Sequence, residues 1–422
     1  MPSADGEAKQ LWTGCLGYNP ACERGGTCER GAMRAPDRDL TLLTTANGLY
    51  AFAYGLYYQL LGVYALHLGA SRFAVGVLNA ILVVFWAAGM IPGAWAAARF
   101  SLRAAIVGVW WITVPAAISF ALAPTWKWMV PGFILTGCYY ANAPAMKAYL
   151  CLKADPARMA GDMTLVLGAM PVGLILSPLL GGYLADRLGM RTVFVIGACI
   201  FALSAACVSF IHDVPYSCPT RPPHPRRLAA NLRFRRYLLF FLVGYFAVFA
   251  TQPFVSPYLA QVRHMDYTSL GIFAAILSAG AAALTPLAGR TADRWSPRAA
   301  AGMVLALLLV GVSLLLLGTG PVVWGLALLL CGAFDALRYL ASGVVGRSFG
   351  NLPLLWGYGV FDALMGIPMA GGALIGGLLY REGYSLPFLM TIAFCAMLIV
   401  ALAFGGKRAP AATSTGGRDG IS

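Results

Sequence analysis

Twelve stretches of this chain stay apolar for long enough to cross a bilayer, which takes roughly 17–25 residues of helix. They run over residues 41–67, 73–98, 104–124, 129–151, 163–185, 192–212, 237–259, 268–289, 299–318, 321–345, 354–380 and 385–406. Short polar segments separate them, and one long polar segment, Asp213 to Arg236, lies between the sixth and the seventh. It holds Pro215, Pro219, Pro222, Pro223 and Pro225 among six arginines, so it neither spans nor folds alone. The pattern predicts an all-α polytopic membrane protein of twelve transmembrane helices, arranged as six plus six. The expected units are a hydrophilic tail over 1–32, a six-helix bundle over 33–212, a basic Pro-rich linker over 213–236, a second bundle over 237–407 and a disordered tail over 408–422.

Composition removes the soluble alternative. Hydrophobic residues make up 59% and charged residues 11%, against roughly 45–50% and about 25% in soluble domains. Mean hydropathy is +0.74. So little charge cannot solvate a globule of 422 residues. The net charge of +14 would suit nucleic acid in a soluble chain, but here the basic residues fall in short loops between apolar runs. That placement is a topology signal. With a cytoplasmic N-terminus, the inside segments from Met33 onward carry Arg34, Arg38, Arg99, Arg103, Lys153, Arg158, the six central arginines, Arg290, Arg294, Arg298, Arg347, Lys407, Arg408 and Arg418, 19 in all. The outside loops carry Arg72, Lys127, Arg187, Arg191, Arg263 and Arg381, which is 6. Both termini are therefore expected in the cytoplasm, the membrane is the inner or plasma membrane, and the charge faces lipid headgroups, not nucleic acid.

Metal and nucleotide chemistry find little support. Residues 1–32 carry Cys15, Cys22 and Cys28 without an apolar signal-peptide core. Their C-x6-C-x5-C spacing lacks the close pairs of a zinc site. A disordered tail, or translation starting at Met33, competes there with a metal or redox role. His67, His212, His224 and His264 sit near span ends or in loops, without ligand spacing. No phosphate-binding G-x-x-x-x-G-K-[ST] occurs. No cofactor and no metal are expected, and energy for any transport must come from an ion gradient or from the solute's own.

Two landmarks repeat with nearly one period. Gly93–Arg103 after span two is echoed by Gly289–Arg298 after span eight, offset by 196 (289 against 93). Pro178-Leu-Leu-Gly181-Gly182 is echoed by Ala373-Leu-Ile-Gly376-Gly377, offset by 195 (376 against 181). Two unrelated landmarks sharing one period argue for a duplicated six-helix unit. From Leu40 to about Lys407 the chain resembles the major facilitator superfamily of secondary transporters. Gly289, Asp293, Arg294 and Arg298 match that family's G-x-x-x-D-R-x-x-x-R/K loop signature. After span two the signature is degenerate, with Ala97 in the acidic position. Span five is similar to the antiporter motif through Gly173, Pro178, Gly181 and Gly182, with Ser177 in place of the middle glycine. A third match, Gly182, Asp186, Arg187, Gly189 and Arg191, falls on an outside loop. That is the wrong side for the signature, and it reads as an echo of the inverted repeat within each half or as coincidence.

The resemblance implies that the 289–298 cluster latches the two bundles in one access state; the alternative is a solvated charged loop. For Gly173, Pro178 and Gly181 the alternative is tight helix packing alone. It also implies that spans one, four, seven and ten line a central cavity.

An ionisable side chain at mid-membrane costs at least about 2.5–3.5 kcal/mol, so each needs an account. Lys147 in span four, Asp335 and Arg338 in span ten, and Asp362 in span eleven are the clear cases. Asp335 and Arg338, at i and i+3, can pair on one helix face. Asn47, Tyr50, Tyr54 and Tyr57 or Tyr58 form one stripe of span one, while Tyr140 and Lys147, and Tyr245 and Gln252, are each seven apart. Phenol, amide and cation facing a wet cavity would bind a partly polar small molecule. The competing accounts are interfacial or bridging tyrosines, a structural Asp335–Arg338 pair, snorkelling by Lys147, and a helix–helix hydrogen bond for Asp362.

These features point to a monomeric secondary active transporter, not an enzyme, that moves a small organic solute by alternating access. Span five favours proton-coupled efflux. Against multidrug export, Pro131–Tyr140 in span four lacks the arginine that the family's drug/proton antiporters carry there. The alternatives are a proton-coupled uptake symporter or uniporter of a sugar or other metabolite and, from another class, a non-transporting membrane receptor or scaffold.

Overall fold

The computed structural model describes residues 38–153, 159–214, 232–346 and 354–404. The 1–32 tail with its three cysteines, most of the 213–236 linker, Arg347 and the 408–422 tail lie outside them. All regular structure among the described residues is helical. In chain order the helices are α1 (Arg38–Gly55), α2 (Leu61–His67), α3 (Arg72–Arg99), α4 (Leu102–Trp110), α5 (Thr113–Leu122), α6 (Val130–Tyr139), α7 (Ala143–Lys153), α8 (Met159–Leu188), α9 (Met190–Ser209) and α10 (Leu232–Thr251). They continue as α11 (Val255–Val262), α12 (Tyr267–Arg294), α13 (Pro297–Leu317), α14 (Pro321–Cys331), α15 (Ala333–Gly346), α16 (Leu354–Glu382) and α17 (Leu386–Phe404).

The duplication is visible element by element. α3 and α12 are both 28 residues long and start 195 residues apart (267 against 72). The same hydrogen bond starts each: Ser71 Oγ accepts from Ala74 N, and Asp266 from Ser269 N, satisfying one of the amides that no helix can pair internally. Ser101 and Ser296, again 195 apart, cap α4 and α13 in the same way.

Ten segments are long and apolar enough to cross a membrane among the described residues, from Arg72–Arg99 to Leu386–Phe404. The stretches 38–67 and 130–153 are also helical, but each is interrupted. A 3-10 turn over Tyr58–Leu60 separates α1 from α2, and another over Tyr140–Asn142 separates α6 from α7. The second half breaks at Gln252–Phe254, between α10 and α11, 194 residues after the Tyr58 turn (252 against 58). Exposed Val84, Phe85, Ile91, Leu122, Leu326 and Val400 give the outer surface the apolar character that hydrocarbon requires.

The halves meet along two related contacts, α3 on α16 and α8 on α12, while α8 also packs on α1 within its own half. Backbone closeness is what these contacts share. A Cβ on Gly76 would stand 2.4 Å from the Ala373 carbonyl oxygen, and one on Gly182 would stand 2.2 Å from that of Tyr267. The span-five motif serves both contacts. Gly173 and Gly181 lie against Phe52 N and Leu56 O of the first span, whereas Pro178 and Gly182 face α12. Ser177, in place of the motif's middle glycine, sits fully buried over Gly55.

Gly181→Ala would put a methyl 1.8 Å from the Leu56 oxygen. Forcing helices apart in this way costs about 1–3 kcal/mol, so the melting temperature of the purified protein should fall. Gly289→Ala meets no atom within 4 Å and should leave it unchanged or slightly raised. Equal falls in both variants would contradict this account of the packing.

Candidate functional site

Where the two halves face each other, the interrupted helices bring together four charges and a wall of tyrosines. Arg338 and Asp335, one turn apart on α15, approach to 3.7 Å and keep 40% and 42% of their side chains accessible, so the pair is not sealed off. Tyr245 on α10 donates its hydroxyl to the Arg338 carbonyl oxygen at 3.2 Å. Lys147 on α7 lies 4.0 Å from Asp362 on α16. This second pair joins one half to the other. Asp362 is thus matched with the cation of the opposite half, a partnership that the sequence did not disclose. Lys147 is 41% accessible and Asp362 only 17%.

Tyr54 stacks on Tyr58 with centroids 4.3 Å apart, and Tyr58 lies within electrostatic reach of Arg338 and Asp335. Tyr140 likewise stands within reach of Arg338. The Tyr54–Tyr58 stack and Tyr140 therefore lie near the open ion pair. A small cavity of about 30 Å³ lies where the Tyr58 and Gln252 turns meet, lined by Tyr58, Gln59, Asn79, Phe133, Gln252 and Ser256. Its polar lining and size suit one or two water molecules.

Other members of the expected stripe are engaged elsewhere. Asn47 donates to the Val166 carbonyl oxygen at 2.9 Å, tying α1 to α8. Tyr57 is buried among Phe120, Phe194 and Phe201, in the core of the first half. Tyr50 stacks on Tyr139 at 4.1 Å and packs edge-on against Trp110, behind the wall. The cause is geometric. At about 100° per residue, Tyr50 and Tyr57 lie about 80–100° around the helix from Tyr58, with Tyr54 between them, so the stripe divides between the core of the first half and the site. Gly289, Asp293, Arg294 and Arg298 are all exposed at the end of the molecule where α12 meets α13. Among the described residues no group of three or more His, Cys, Asp or Glu is placed to hold a metal.

Comparison with known proteins agrees with this architecture. The family model described as Major Facilitator Superfamily matches residues 43–351 and 238–421. An MFS-type efflux pump of Mycolicibacterium smegmatis is 26% identical over 269 residues, covering 62% of this chain and 56% of that protein. The purine ribonucleoside efflux pump NepI of Salmonella enteritidis is 25% identical over 271 residues, covering 62% and 66%. The chain thus matches between about half and two thirds of the length of these relatives. Among solved structures, the nucleoside transporter NupG superposes with a TM-score of 0.72 at 14% identity, covering 86% of this chain and 98% of that one. A bacterial homolog of the human lysosomal transporter Spinster, in an inward-facing and unoccupied conformation, gives 0.66 at 17%, covering 89% and 97%. These proteins are transporters, not enzymes.

A second polar cluster escaped the sequence. Asp39, at the start of α1, is 1% exposed and accepts from Lys153 at 2.7 Å, from His212 Nδ1 at 2.9 Å and from the Tyr149 hydroxyl at 3.1 Å. It pins the ends of α1 and α7 to the segment after α9. The signal was available: an ionisable residue stands at the matching edge of spans one, four and six. Burial pushes the Asp39 carboxyl upward, but hydrogen bonds from Lys153 and His212 outweigh it and hold the group at about 2. A carboxyl lowered on folding stabilises the fold above its ordinary value of 3.8 and loses that contribution as pH falls toward 2. Asp39→Ala should therefore cost about 2 kcal/mol near neutral pH. Melting curves of wild type and variant should converge as pH drops from 4 toward 2; a gap that persisted there would contradict the ionised cluster.

Proposed function

The chain belongs to the Major Facilitator Superfamily, and from that premise we propose that it exports a small organic solute in exchange for protons by alternating access. We read it as a monomer with twelve spans, the ten long apolar helical segments plus the broken spans 41–67 and 129–151. Both termini are cytoplasmic, in the inner or plasma membrane. The functional units are the bundles 33–212 and 237–407, joined by the linker 213–236. In this reading Gly289, Asp293, Arg294 and Arg298 form the cytoplasmic latch.

The observation that carries the proposal is the opposition of two ion pairs, Asp335–Arg338 and Lys147–Asp362, beside Tyr54, Tyr58 and Tyr140 where the halves face each other. A cation in this setting is costly without a partner. Protonating Asp335 removes its negative charge from beside the Arg338 guanidinium, and an anionic or strongly hydrogen-bonding group of the solute takes that place. One event then couples proton to ligand, with Asp362 and Lys147 as the second such pair. The tyrosine faces suit a flat ring, stacked or edge-on. Gln252 and Tyr245 complete the polar lining. A flat base carrying hydroxyl groups has this chemistry, and the efflux of purine ribonucleosides by NepI makes such compounds the first solutes to test. The direction rests on the span-five motif and on two relatives named as efflux pumps. Accumulation in the opposite direction would favour the uptake symporter, and flux without a pH gradient the uniporter. Absence of any flux would favour a receptor or scaffold.

In proteoliposomes, Asp335→Asn and Asp362→Asn should each abolish accumulation driven by a pH gradient while leaving solute exchange at equal pH. If both keep full proton-driven accumulation, the coupling group lies elsewhere. Arg338→Lys keeps the charge but loses the planar fork. It should weaken solute binding about tenfold, or ~1.4 kcal/mol, measured by calorimetry across pH 5–8. Binding equal to wild type would make the Asp335–Arg338 pair structural.

A further inference from the structure

Residues 182–191, which repeat the glycine–acid–arginine pattern on the side away from the family signature, lie where α8 meets α12. Gly182 permits the approach. A Cβ there would stand 2.2 Å from the Tyr267 carbonyl oxygen, and one on Gly271 would stand 2.3 Å from that of Pro178. One helical turn further on, Asp186 reaches across to the other half. Its Oδ1 accepts from Tyr267 N at 3.2 Å, and its Oδ2 accepts from Thr268 N and Thr268 Oγ1, each at 2.6 Å. Those amides open α12, where no intrahelical acceptor exists and the helix dipole favours a carboxylate. Yet α12 already has its own cap in Asp266, which accepts from Ser269 N at 2.9 Å. The bonds of Asp186 therefore link the halves and are not needed to start the helix.

Neighbouring contacts act in the same place. His67, at the end of α2, shares a 2.5 Å hydrogen bond with the Tyr267 hydroxyl. On the opposite flank Arg72, the first residue of α3, bonds to the Tyr384 hydroxyl, with its guanidinium 3.9 Å from that ring's centroid. Each half thus grips the first turn of the other half's 28-residue helix. At the other end of α12, Gly289 occupies the position that Gly182 has here. No atom lies within 4 Å of a Cβ built there, so that glycine makes no close approach in this conformation.

We propose that Asp186 is a positioning residue of the transport cycle: a second latch, which holds the outer ends of the two halves together through the N-terminus of α12 and must release for the site to open outward. The inference rests on the alternating-access reading above. The Gly-x-x-x-Asp spacing does the same work here as is expected of Gly289 and Asp293 at the cytoplasmic end, with a close-packed glycine one turn before a bridging carboxylate. Asp186 is exposed. Its bonds are therefore modest and screened by salt, as suits a contact that has to break at every turnover.

Hydrogen–deuterium exchange on the purified full-length protein in nanodiscs, without solute, tests this. In Asp186→Asn, exchange of peptides over 60–68, 183–190 and 265–272 should rise about three- to tenfold. Peptides over 90–100 and 286–296 should exchange more slowly, because opening one end closes the other. Thr268→Val, which removes one of the three donors and keeps the side-chain volume, should give the same pattern more weakly, at an unchanged melting temperature. It stands in should Asp186→Asn fail to fold. No change at the outer end, or a uniform rise at both ends with a lowered melting temperature, would overturn the latch. The exchange pattern requires no flux, so failure of transport in proteoliposomes would overturn the functional reading separately.

Discussion

Hydrocarbon offers no hydrogen-bond partners, and the rest of this structure follows from that constraint. Backbone groups are satisfied within helices, and many side chains that carry polar atoms inward are paired with one another or with a carbonyl, although Tyr50 Oη and Ser177 Oγ are buried without a hydrogen-bond partner. Trp110 donates to Ser204, which itself donates to the Ala46 carbonyl oxygen. Thr251 and Thr391 share a 2.5 Å hydrogen bond and reach carbonyls of Pro387 and Ala247. Such bonds tie helices together without charge. Where charges do enter, they come in pairs, Lys147 with Asp362, Arg338 with Asp335 and, at the helix ends, Lys153 with Asp39. Of these the Asp335–Arg338 pair is the one whose two side chains both stay about 40% accessible, and ionisable groups within spans mark function in membrane proteins.

Close backbone approach is the second consequence. With no hydrophobic drive between helices in lipid, association depends on contact, and glycine supplies it. Gly76, Gly181, Gly182 and Gly271 each meet a neighbouring main chain at a distance no Cβ allows. Contacts this close are specific. Helices built around them have a few allowed registers, which gives two halves discrete arrangements instead of a continuum.

Much of the fold was legible in the sequence, because hydropathy and the duplication period are both linear signals. The Asp335–Arg338 pair followed from i,i+3 spacing on an uninterrupted helix, and it stands at 3.7 Å. The tyrosine stripe was legible only in part: Tyr54 and Tyr58 stand together near the ion pair, whereas Asn47, Tyr50 and Tyr57 turn into the first half, and helical spacing alone does not say which edge of a broad stripe faces the other half. The Lys147–Asp362 contact lay beyond reach for another reason. It joins two helices 215 residues apart (362 against 147), and no local pattern encodes which helix faces which. Asp39 stood just outside an apolar run, where a charge looks solvated, and its burial depends on α7 and the segment after α9 closing over it.

The 195-residue repeat makes the molecule a comparison with itself. The caps at Ser71 and Asp266 and at Ser101 and Ser296, the 28-residue length of α3 and α12, and the 3-10 breaks at Tyr58 and Gln252 are held in common, so they belong to the shared architecture of the unit. The departures are chemical. Where the second half has Asp293 the first has Ala98, and where the first has Asp186 the second has Arg381. A repeat of this kind relates like ends of the two halves, so a perfect duplicate would set the same charge against itself at each end. Here each end carries its carboxylate on one half only, and at the α8–α12 end that carboxylate meets backbone amides and a hydroxyl of the other half in place of a second carboxylate.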